Sequence, residues 1–326
     1  MRVFVAGATG AIGARLVPQL VRHGHEVVAS SRSPEKADRL RAQSAEPVVL
    51  DLLDPRAVRE AVAAARPDAI VHQATALAGL ADFKHFDRSF AQTNRLRTEG
   101  TDALLAAARQ LGVGRVVAQS FAGWPYAREG GPVKTEEDLL DPTPVPAMSE
   151  TLAAIRHLER AVTEAGGTVL RYGGFYGSRD DAQVELVRRR RFPIVGDGGG
   201  VWSFVHLDDA AAATVLALER GEPGIYNVVD DEPAPVRAWL PALAEALGAR
   251  PPRRVPRLLA RLVAGEAGVV LMTESRGASN ARAKRLLGWT PRHPSWRQGF
   301  TEAYGPAPAR AAATSAREPA GAVQRS

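Results

Sequence analysis

The sequence contains no cysteine, which excludes disulfide bonds, thiolate nucleophiles and metal sites built on cysteine. No run approaches the roughly 20 apolar residues that a membrane-spanning helix needs. Met1 leads directly into the strand-like RVFVAG, without the organisation of a signal peptide. We therefore expect a cytoplasmic protein with no membrane partner, whose chemistry uses oxygen, nitrogen or a cofactor.

Lysine is also scarce, since arginine supplies all but four of the 42 basic residues. The arginines that give the net charge of +6 are spread along alanine-rich, helix-like segments, which is typical of solvated helix faces and not of a nucleic-acid patch. The one dense run, Arg188–Arg191, is either the polar end of a helix or a contact for a substrate phosphate. Helix-turn-helix and RNA-binding signatures are absent, and no histidines show metal-ligand spacing. We expect neither a nucleic-acid partner nor a metal.

Strand-like runs rich in valine and isoleucine alternate with helical stretches over the first half of the 326 residues. This pattern predicts an α/β fold, a Rossmann-type doubly wound parallel sheet with helices on both faces. The alternation loosens after residue 174. We predict an NADP-binding Rossmann domain over 1–174 and a small C-terminal substrate lobe over 175–304 that is interleaved with the last Rossmann elements. A disordered tail over 305–326 is expected, because that segment lacks apolar periodicity. The strand-like runs are 2–7, 25–30, 46–52, 68–74, 114–120 and 168–174, and the helical stretches include 10–23, 93–111 and 148–164.

Gly7, Gly10 and Gly13 form a G-x-x-G-x-x-G motif in GATGAIG. The spacing alone is weak, but it follows an N-terminal strand and opens a helix. There, small residues let the backbone approach a pyrophosphate, and unpaired helix N–H groups meet its charge. The motif predicts a dinucleotide site, and a plain βα turn is the alternative.

The second predicted strand ends in Ser30-Ser31-Arg32, where NAD-binding proteins usually carry an acid for the ribose 2′-hydroxyl. An acid would repel a 2′-phosphate, whereas a guanidinium and hydroxyls would bind one. This favours NADP(H) over NAD(H), unless Arg32 merely starts a surface loop. Asp51 and Leu52, at the end of the third strand, are placed to hold an adenine.

These motifs resemble the extended and atypical short-chain dehydrogenase/reductases, the group of NAD-dependent epimerase/dehydratases. The resemblance runs in family order over residues 1 to about 300. The matching segments are GATGAIG (7–13), DL (51–52), VHQAT (71–75), TNRLRTEGTDALLAAA (93–108), VVAQSFAGW (116–124), LRYGGFYG (170–177), WSFVHLDDAAAA (202–213), IYNVVDDEP (225–233) and LGWTPRHPSWRQGF (287–300).

The resemblance implies a role for each matching residue. Those at the pyrophosphate are Gly7, Thr9, Gly10 and Ile12, with Gly13 completing the motif. Arg32, beside Ser31, would meet the 2′-phosphate, and Asp51 with Leu52 the adenine. The ribose and nicotinamide would lie against Gln73, Ala74 and Thr75, and against Tyr172, Gly173 and Gly174. His206 and Asp209 match a family motif with a mainly structural role.

One part of the family pattern is missing. Family members that transfer hydride use a serine together with Tyr-x-x-x-Lys, in which the ammonium lowers the pKa of the phenol. Ser120 matches the serine. The tyrosine and lysine have no counterpart in PAMSETLAAIRHLERAV (146–162), whether the register pairs Met148 with Leu152 or Thr151 with Ile155.

Three explanations remain open. In the first, the protein is an NADPH-dependent ketoreductase of a small carbonyl compound, such as an aromatic polyketide, and uses a non-standard proton source. In the second, it binds NADP(H) as a non-catalytic sensor, like the NmrA-like members of the superfamily. The third, a sugar-nucleotide epimerase or dehydratase, is disfavoured because it needs the missing base. We favour the reductase. The candidate proton donors are Ser120, Tyr126, Tyr172, Tyr176 and His157.

The resemblance also implies a partner. Extended members often form homodimers through two helices that correspond here to about 98–110 and 151–165. Both are alanine-rich and suited to close packing, although helices that cover a sheet have the same composition.

Overall fold

The structure, a computed structural model, describes residues 1–77, 82–178 and 182–305. The predicted tail therefore lies outside the described residues, except for Gly305. Seven parallel strands form the central sheet, in the order β7-β6-β5-β4-β1-β2-β3. The strands are β1 (Arg2–Ala6), β2 (Glu26–Ser31), β3 (Glu46–Val49), β4 (Ala69–His72), β5 (Arg115–Phe121), β6 (Thr168–Tyr172) and β7 (Gly224–Val228).

The helices connect these strands and cover both faces of the sheet. In chain order they are α1 (Gly13–Arg22), α2 (Ala37–Ala42), α3 (Pro55–Ala65), α4 (Phe86–Arg95), α5 (Thr101–Leu111), α6 (Ser149–Glu164), α7 (Ala182–Arg188), α8 (Leu207–Arg220), α9 (Val236–Ala246), α10 (Arg257–Thr273), α11 (Ala281–Leu287) and α12 (Trp296–Tyr304). Among the described residues, no helix combines the length and hydrophobicity needed to cross a membrane.

The sheet changes direction between β1 and β4. The chain builds outward from β1 through β2 to β3, then returns to place β4 on the other side of β1. Strands at this centre are buried on both faces, and Val3, Phe4 and Val5 are fully inaccessible, as expected for a parallel sheet covered by helices. The predicted doubly wound α/β fold is confirmed. In such folds ligands bind beyond the carboxyl ends of the strands at the switch point.

Local sequence signals explain several helix boundaries. The Asp54 side chain accepts hydrogen bonds from the backbone N–H groups of Arg56 and Ala57 at 3.0 Å, and Pro55 occupies the first turn of α3. Helix α5 ends at Gly112, which adopts the left-handed conformation that glycine favours at the end of a helix.

The helix predicted over 93–111 is longer than expected and is not uniform. It begins at Phe86, and a π-helical turn over Leu96–Gly100 separates α4 from α5. The extra residue in such a turn shifts which side chains face the core. Sequence periodicity alone does not reveal this shift.

A second hydrophobic cluster lies beyond the sheet, built from α7, α9, α10, α12 and short strand pairs. Its centre is Trp239. The centroid of the Trp239 ring lies 4.9 Å from that of Trp202 and 5.2 Å from that of Phe204. One strand from this half of the chain, β7, returns to the edge of the central sheet beside β6. The two halves are therefore interleaved, and a domain boundary at residue 174 stays a prediction.

Candidate active site

A cavity of about 690 Å³ opens at the carboxyl ends of β1 and β4. Its position is the switch point of the sheet, where a doubly wound fold binds its ligand. Most of the residues predicted to bind a dinucleotide line it. They are Gly7, Thr9, Gly10, Ile12, Ser31, Arg32, Leu52, Gln73, Ala74 and Thr75.

The glycine motif is required by the geometry of the switch point. Gly7 has a φ of +84°, and a Cβ atom there would lie 2.6 Å from the backbone nitrogen and Cα of Ala74. Gly13 does not line the cavity. A Cβ at Gly13 would come within 2.5 Å of the Ala8 carbonyl, so this glycine lets α1 start close to β1. The absence of side chains at Gly7 and Gly13 thus lets β1, β4 and α1 pack closely at the point where a pyrophosphate would approach the backbone.

One end of the cavity is basic and rich in hydroxyl groups. Arg32 and Lys36 line it together with Ser31 and Ser33, and the Ser31 and Thr9 hydroxyl oxygens lie 3.2 Å apart. Among the described residues that line the whole cavity, Asp82 is the only carboxylate. The Asp82 Oδ2 atom lies 2.9 Å from Nδ1 of His85, just before α4. Lys36 was not singled out in the sequence, although it stands four residues after Arg32, just before a helix.

The other predicted cofactor residues are not among those that line the cavity. Asp51 accepts a hydrogen bond from the Leu53 N–H at 3.0 Å, and Gly173 lies tightly against the Ser203 carbonyl, as Gly174 does against the Phe204 ring. Tyr172 is buried with its hydroxyl 2.7 Å from that of Thr214, and burial raises its pKa to about 12. That hydroxyl also accepts a hydrogen bond from Gln73 at 3.2 Å.

Gln73 is held with one polar atom unused. Its amide nitrogen is bound to Tyr172, but its Oε1 is buried and has no hydrogen-bond partner among the described residues. A buried acceptor without a partner costs free energy. Because Gln73 lines the cavity, a hydroxyl or amide of a bound ligand would satisfy it. Together with the Gly7 cradle, this atom shows that the residues present fit a dinucleotide.

Two candidate proton donors are bound into a network outside the residues that line the cavity. The Ser120 hydroxyl donates to Glu159 at 2.7 Å, and Arg171 donates to both oxygens of the same carboxylate at 2.7 and 2.6 Å. Arg171 also donates to the Tyr126 hydroxyl at 3.3 Å, which itself donates to Asn227 at 2.5 Å. Burial raises the pKa of Tyr126 to about 12. Both hydroxyls therefore have protein partners.

Two further candidates have different environments. Tyr176 lines the cavity, but its hydroxyl is buried against Gly299 of α12 and has no hydrogen-bond partner among the described residues. Burial, followed by the nearby charge of Asp230, raises the pKa of this phenol. His157 lies on α6 and bonds Asp102 of α5 at 2.8 Å in a partly exposed position. His157 thus bridges two surface helices away from the residues that line the cavity.

The start of α6, where the family has its tyrosine and lysine, holds no phenol or ammonium in either register. Met148 is buried in an apolar cluster with Phe86. Thr151 donates its hydroxyl to Asp87 at 2.6 Å, while Leu152 and Ile155 are buried hydrophobic residues. The positions of the family's tyrosine and lysine are thus occupied by buried apolar side chains and by Thr151, whose hydroxyl already donates to Asp87.

The far half of the cavity has an aromatic wall that sequence reasoning missed. The Phe86 and Phe90 rings stack with centroids 4.4 Å apart, and Trp124 meets Phe86 edge-on at 5.3 Å. Phe83 and Trp202 pack in the same cluster, and Phe121 and Phe175 also line the cavity. Phe83, Phe86 and Phe90 recur at helical spacing, but Trp124 and Trp202 come from distant parts of the chain, so their convergence with these rings depends on the fold. Such a surface fits a planar aromatic ligand.

Sequence reasoning also missed Arg97, a buried arginine that lines the cavity. The signal was its position. Thr93, Arg97, Gly100 and Leu104 share the buried side of the helical segment, so a charged residue stands where an apolar one is expected.

The HLDD segment forms a cluster that resembles a metal site. His206, Asp209 and His293 lie within 4.8 Å of one another. Both Asp209 oxygens already accept hydrogen bonds, from the Arg292 N–H and from the His293 N–H and ring, each at 2.9 Å. These bonds tie the segment before α12 to α8. The geometry agrees with the structural role implied by the resemblance.

Comparisons with known proteins agree with the fold and the site. The profile of the NAD dependent epimerase/dehydratase family matches residues 3–228. The 3-diazoavenalumate denitrifying reductase of a Streptomyces species is 47% identical over 312 residues, which cover 92% of this chain and 99% of that protein. The 4-hydroxy-2-methyl-3-oxo-4-farnesyl-3,4-dihydroquinoline-1-oxide ketoreductase of Stigmatella aurantiaca is 30% identical over 258 residues, covering 76% and 74%.

A solved structure extends the comparison. The UDP-glucose 4-epimerase of Thermus thermophilus, in complex with NAD, is 27% identical, with a TM-score of 0.71 and coverage of 93% of this chain and 98% of that one. The predicted family is confirmed. The chain belongs to the NAD dependent epimerase/dehydratase family and is a nicotinamide-cofactor-dependent oxidoreductase with a reductase role.

Proposed function

We propose that the protein is an NADPH-dependent reductase of an aromatic diazo compound, an acceptor that needs no proton from a protein side chain. The observation that carries this proposal is that two of the candidate proton donors already donate their hydroxyl hydrogens to protein acceptors. Ser120 and Tyr126 are hydrogen-bonded within the protein, whereas the cavity beside them is walled by aromatic rings.

The basic end of the cavity supports NADPH as the cofactor. Arg32 and Lys36 provide two cations for a 2′-phosphate, and Ser31 and Ser33 provide hydroxyl groups. A guanidinium matches a phosphate with paired hydrogen bonds. Gly7, Gly10 and Ile12 would lie along the pyrophosphate, and Gln73 would offer its free Oε1 to the nicotinamide half. The bound cofactor supplies a hydride; the protein binds, orients and excludes water.

The chemistry of a diazonium group matches a site without an acid. An aryl diazonium that accepts a hydride becomes a neutral diazene, Ar–N=N–H. The diazene loses N₂ and leaves a hydrogen on the ring carbon, so atoms and charge balance without a proton from the enzyme. A relative that is 47% identical is named as a denitrifying reductase of a diazo compound. The wall of Phe86, Phe90 and Trp124 would hold the ring of such an acceptor.

A ketone is the second candidate, because another relative is named as a ketoreductase. Reduction of a ketone leaves an alkoxide that must be protonated. Water, or a phenol of the substrate next to the carbonyl, would have to supply that proton. Aromatic polyketide ketones with such a phenol would suit the cavity.

The two candidates are separated by their products. We would incubate the purified protein with NADPH and either a ¹⁵N₂-labelled aryl diazonium or an aromatic hydroxyketone, and follow absorbance at 340 nm. Our proposal predicts one labelled N₂ and one arene per NADPH oxidised. Turnover of the ketone alone would replace it with the ketoreductase. Tight NADPH binding without turnover of either compound would contradict both and favour the sensor.

A further inference from the structure

Arg97 is a buried cation that faces the cavity without a matching anion. Its side chain is 7% exposed and belongs to the π-helical turn over Leu96–Gly100. It lines the cavity, and its Nη1 has no hydrogen-bond partner among the described residues. Turns of this kind occur often at functional sites.

The charges around Arg97 do not compensate it. Glu159 attracts the guanidinium, but both oxygens of Glu159 already accept hydrogen bonds from Ser120 and Arg171. The neighbouring His72 is buried, which lowers its pKa to about 4 and leaves it neutral, with its Nε2 bonded to the Leu96 carbonyl at 3.3 Å. Burial lowers the pKa of Arg97 to about 10, so it still carries its charge at neutral pH. A buried charge without a partner is costly.

The position of Arg97 in the fold connects it with the missing lysine. The turn that carries it packs against α6, the helix on which the family places Tyr-x-x-x-Lys. It lies beside His72, the last residue of β4, whose Nε2 bonds the Leu96 carbonyl. Arg97 therefore brings a fixed positive charge to the β4 side of the cavity.

We propose that Arg97 is an anion-binding residue of the active site and that its guanidinium binds a negatively charged oxygen of the bound ligand. This inference rests on the proposed function. The oxygen has two possible sources, a phosphate of the dinucleotide or a carboxylate or phenolate of the acceptor. In both cases the ligand supplies the partner that the free protein lacks, and the guanidinium fixes its orientation.

The test uses Arg97→Met, a neutral side chain of similar length, and Arg97→Lys, which keeps the charge. Arg95→Met is the matched control. Arg95 is two residues away, 57% exposed and paired with Glu99. For each variant we would measure NADPH dissociation by fluorescence and thermal unfolding with and without NADPH. We would also titrate the NADP⁺-loaded protein with 4-hydroxycinnamate and with its uncharged amide by calorimetry.

Arg97→Met should weaken one charged ligand at least tenfold, with partial recovery in Arg97→Lys and less than a twofold change in Arg95→Met. Weaker NADPH binding would identify a phosphate as the source. Weaker 4-hydroxycinnamate binding, with the amide unaffected, would identify the acceptor. The ligand-free variant should unfold at the same temperature as the wild type or higher, because a desolvated charge has been removed.

The inference is overturned if Arg97→Met changes neither dissociation constant, or if it only lowers the unfolding temperature. The latter result would assign Arg97 a purely structural role. If Arg97→Met does not fold, unchanged affinities in Arg97→Ala or Arg97→Gln would have the same meaning. Failure of the wild type itself to bind NADPH would instead contradict the proposed function.

Discussion

The Oγ atom of Ser120 lies 2.7 Å from Oε1 of Glu159, and both side chains are buried. Ser120 is the residue that matches the family's catalytic serine, yet the structure gives its hydrogen bond to a carboxylate on α6. Gln119 and Phe121, its neighbours on β5, line the cavity instead. Side chains alternate across a strand, so the Ser120 side chain lies on the face opposite that of Gln119 and Phe121, and its catalytic role stays a prediction.

Replacing Ser120 by Ala should therefore affect stability more than chemistry. We expect turnover at saturating NADPH to stay within about threefold of the wild type. The free energy of unfolding should fall by about 1–3 kcal/mol, because Glu159 loses a buried donor. Steady-state rates and urea unfolding measure the two effects. A hundredfold loss of rate in a stably folded variant would show that the hydroxyl takes part in the reaction after all.

Arg32→Ala tests the choice of cofactor. If the Arg32 guanidinium binds the 2′-phosphate as proposed, its removal should weaken NADPH binding about tenfold or more, since a charge-assisted hydrogen bond contributes about 1.5–3 kcal/mol. The affinity for NADH, which lacks this phosphate, should change little. Titrations of both nucleotides measure the difference, with Arg39→Ala, an exposed arginine on α2, as the control. Equal losses for NADPH and NADH would contradict the assignment.

Part of the cavity lining could be predicted because its residues are consecutive or nearly consecutive in the sequence. The GATGAIG turn and the Ser30-Ser31-Arg32 end of β2 are local, and a parallel sheet brings strand ends to one edge. The aromatic wall could not be predicted in this way. Phe86 and Trp124 meet across 38 positions of chain, and only the packing of α4 against the loop after β5 brings them together.

Arg97 escaped prediction for a different reason. Arg97 keeps the helical spacing of the buried positions Thr93, Gly100 and Leu104, but an arginine in an arginine-rich helix is ordinarily interpreted as one more solvated charge. The proton donors were uncertain because strand register does not reveal hydrogen-bond partners. The Tyr126 hydroxyl, for example, donates its hydrogen bond to Asn227, which is 101 residues away in the sequence.

Gly7→Ala should abolish dinucleotide binding. The new Cβ would lie 2.6 Å from the Ala74 backbone, so β1 and β4 would have to separate at the point where we propose that the pyrophosphate binds. Gly24→Ala is a close control, because Gly24 has a similar φ of +79° but nothing within 4 Å of its added Cβ. The control should lose about 1–2 kcal/mol of stability from backbone strain alone and keep its affinity for NADPH. Chemical unfolding and NADPH titration test both. Equal behaviour of the two variants would mean that the close approach to Ala74 does not matter.

Asp230 should make stability depend on pH. It is buried behind β7, with one oxygen lacking a hydrogen-bond partner among the described residues, and burial raises its pKa from 3.8 to about 8. Below about pH 4 the carboxyl is protonated in both the folded and the unfolded chain. As the pH rises toward 8 the unfolded chain releases the proton while the folded protein keeps it, so the free energy of unfolding falls, by at most about 1.4 kcal/mol per pH unit for one proton.

Asp230→Asn should remove this dependence, because the amide is neutral at every pH. We expect its urea midpoint to vary less than that of the wild type between pH 5 and 8 and to exceed it at pH 8. Asp231→Asn, which removes a carboxylate bonded to Lys284 at 2.6 Å, should lower stability but retain the wild-type slope. Parallel slopes for Asp230→Asn and the wild type would show that Asp230 is ionised in the folded protein. Its Oδ1 accepts a hydrogen bond from the Glu232 N–H at 3.3 Å, but an ionised Asp230 would also need a partner for Oδ2 that the described residues do not provide.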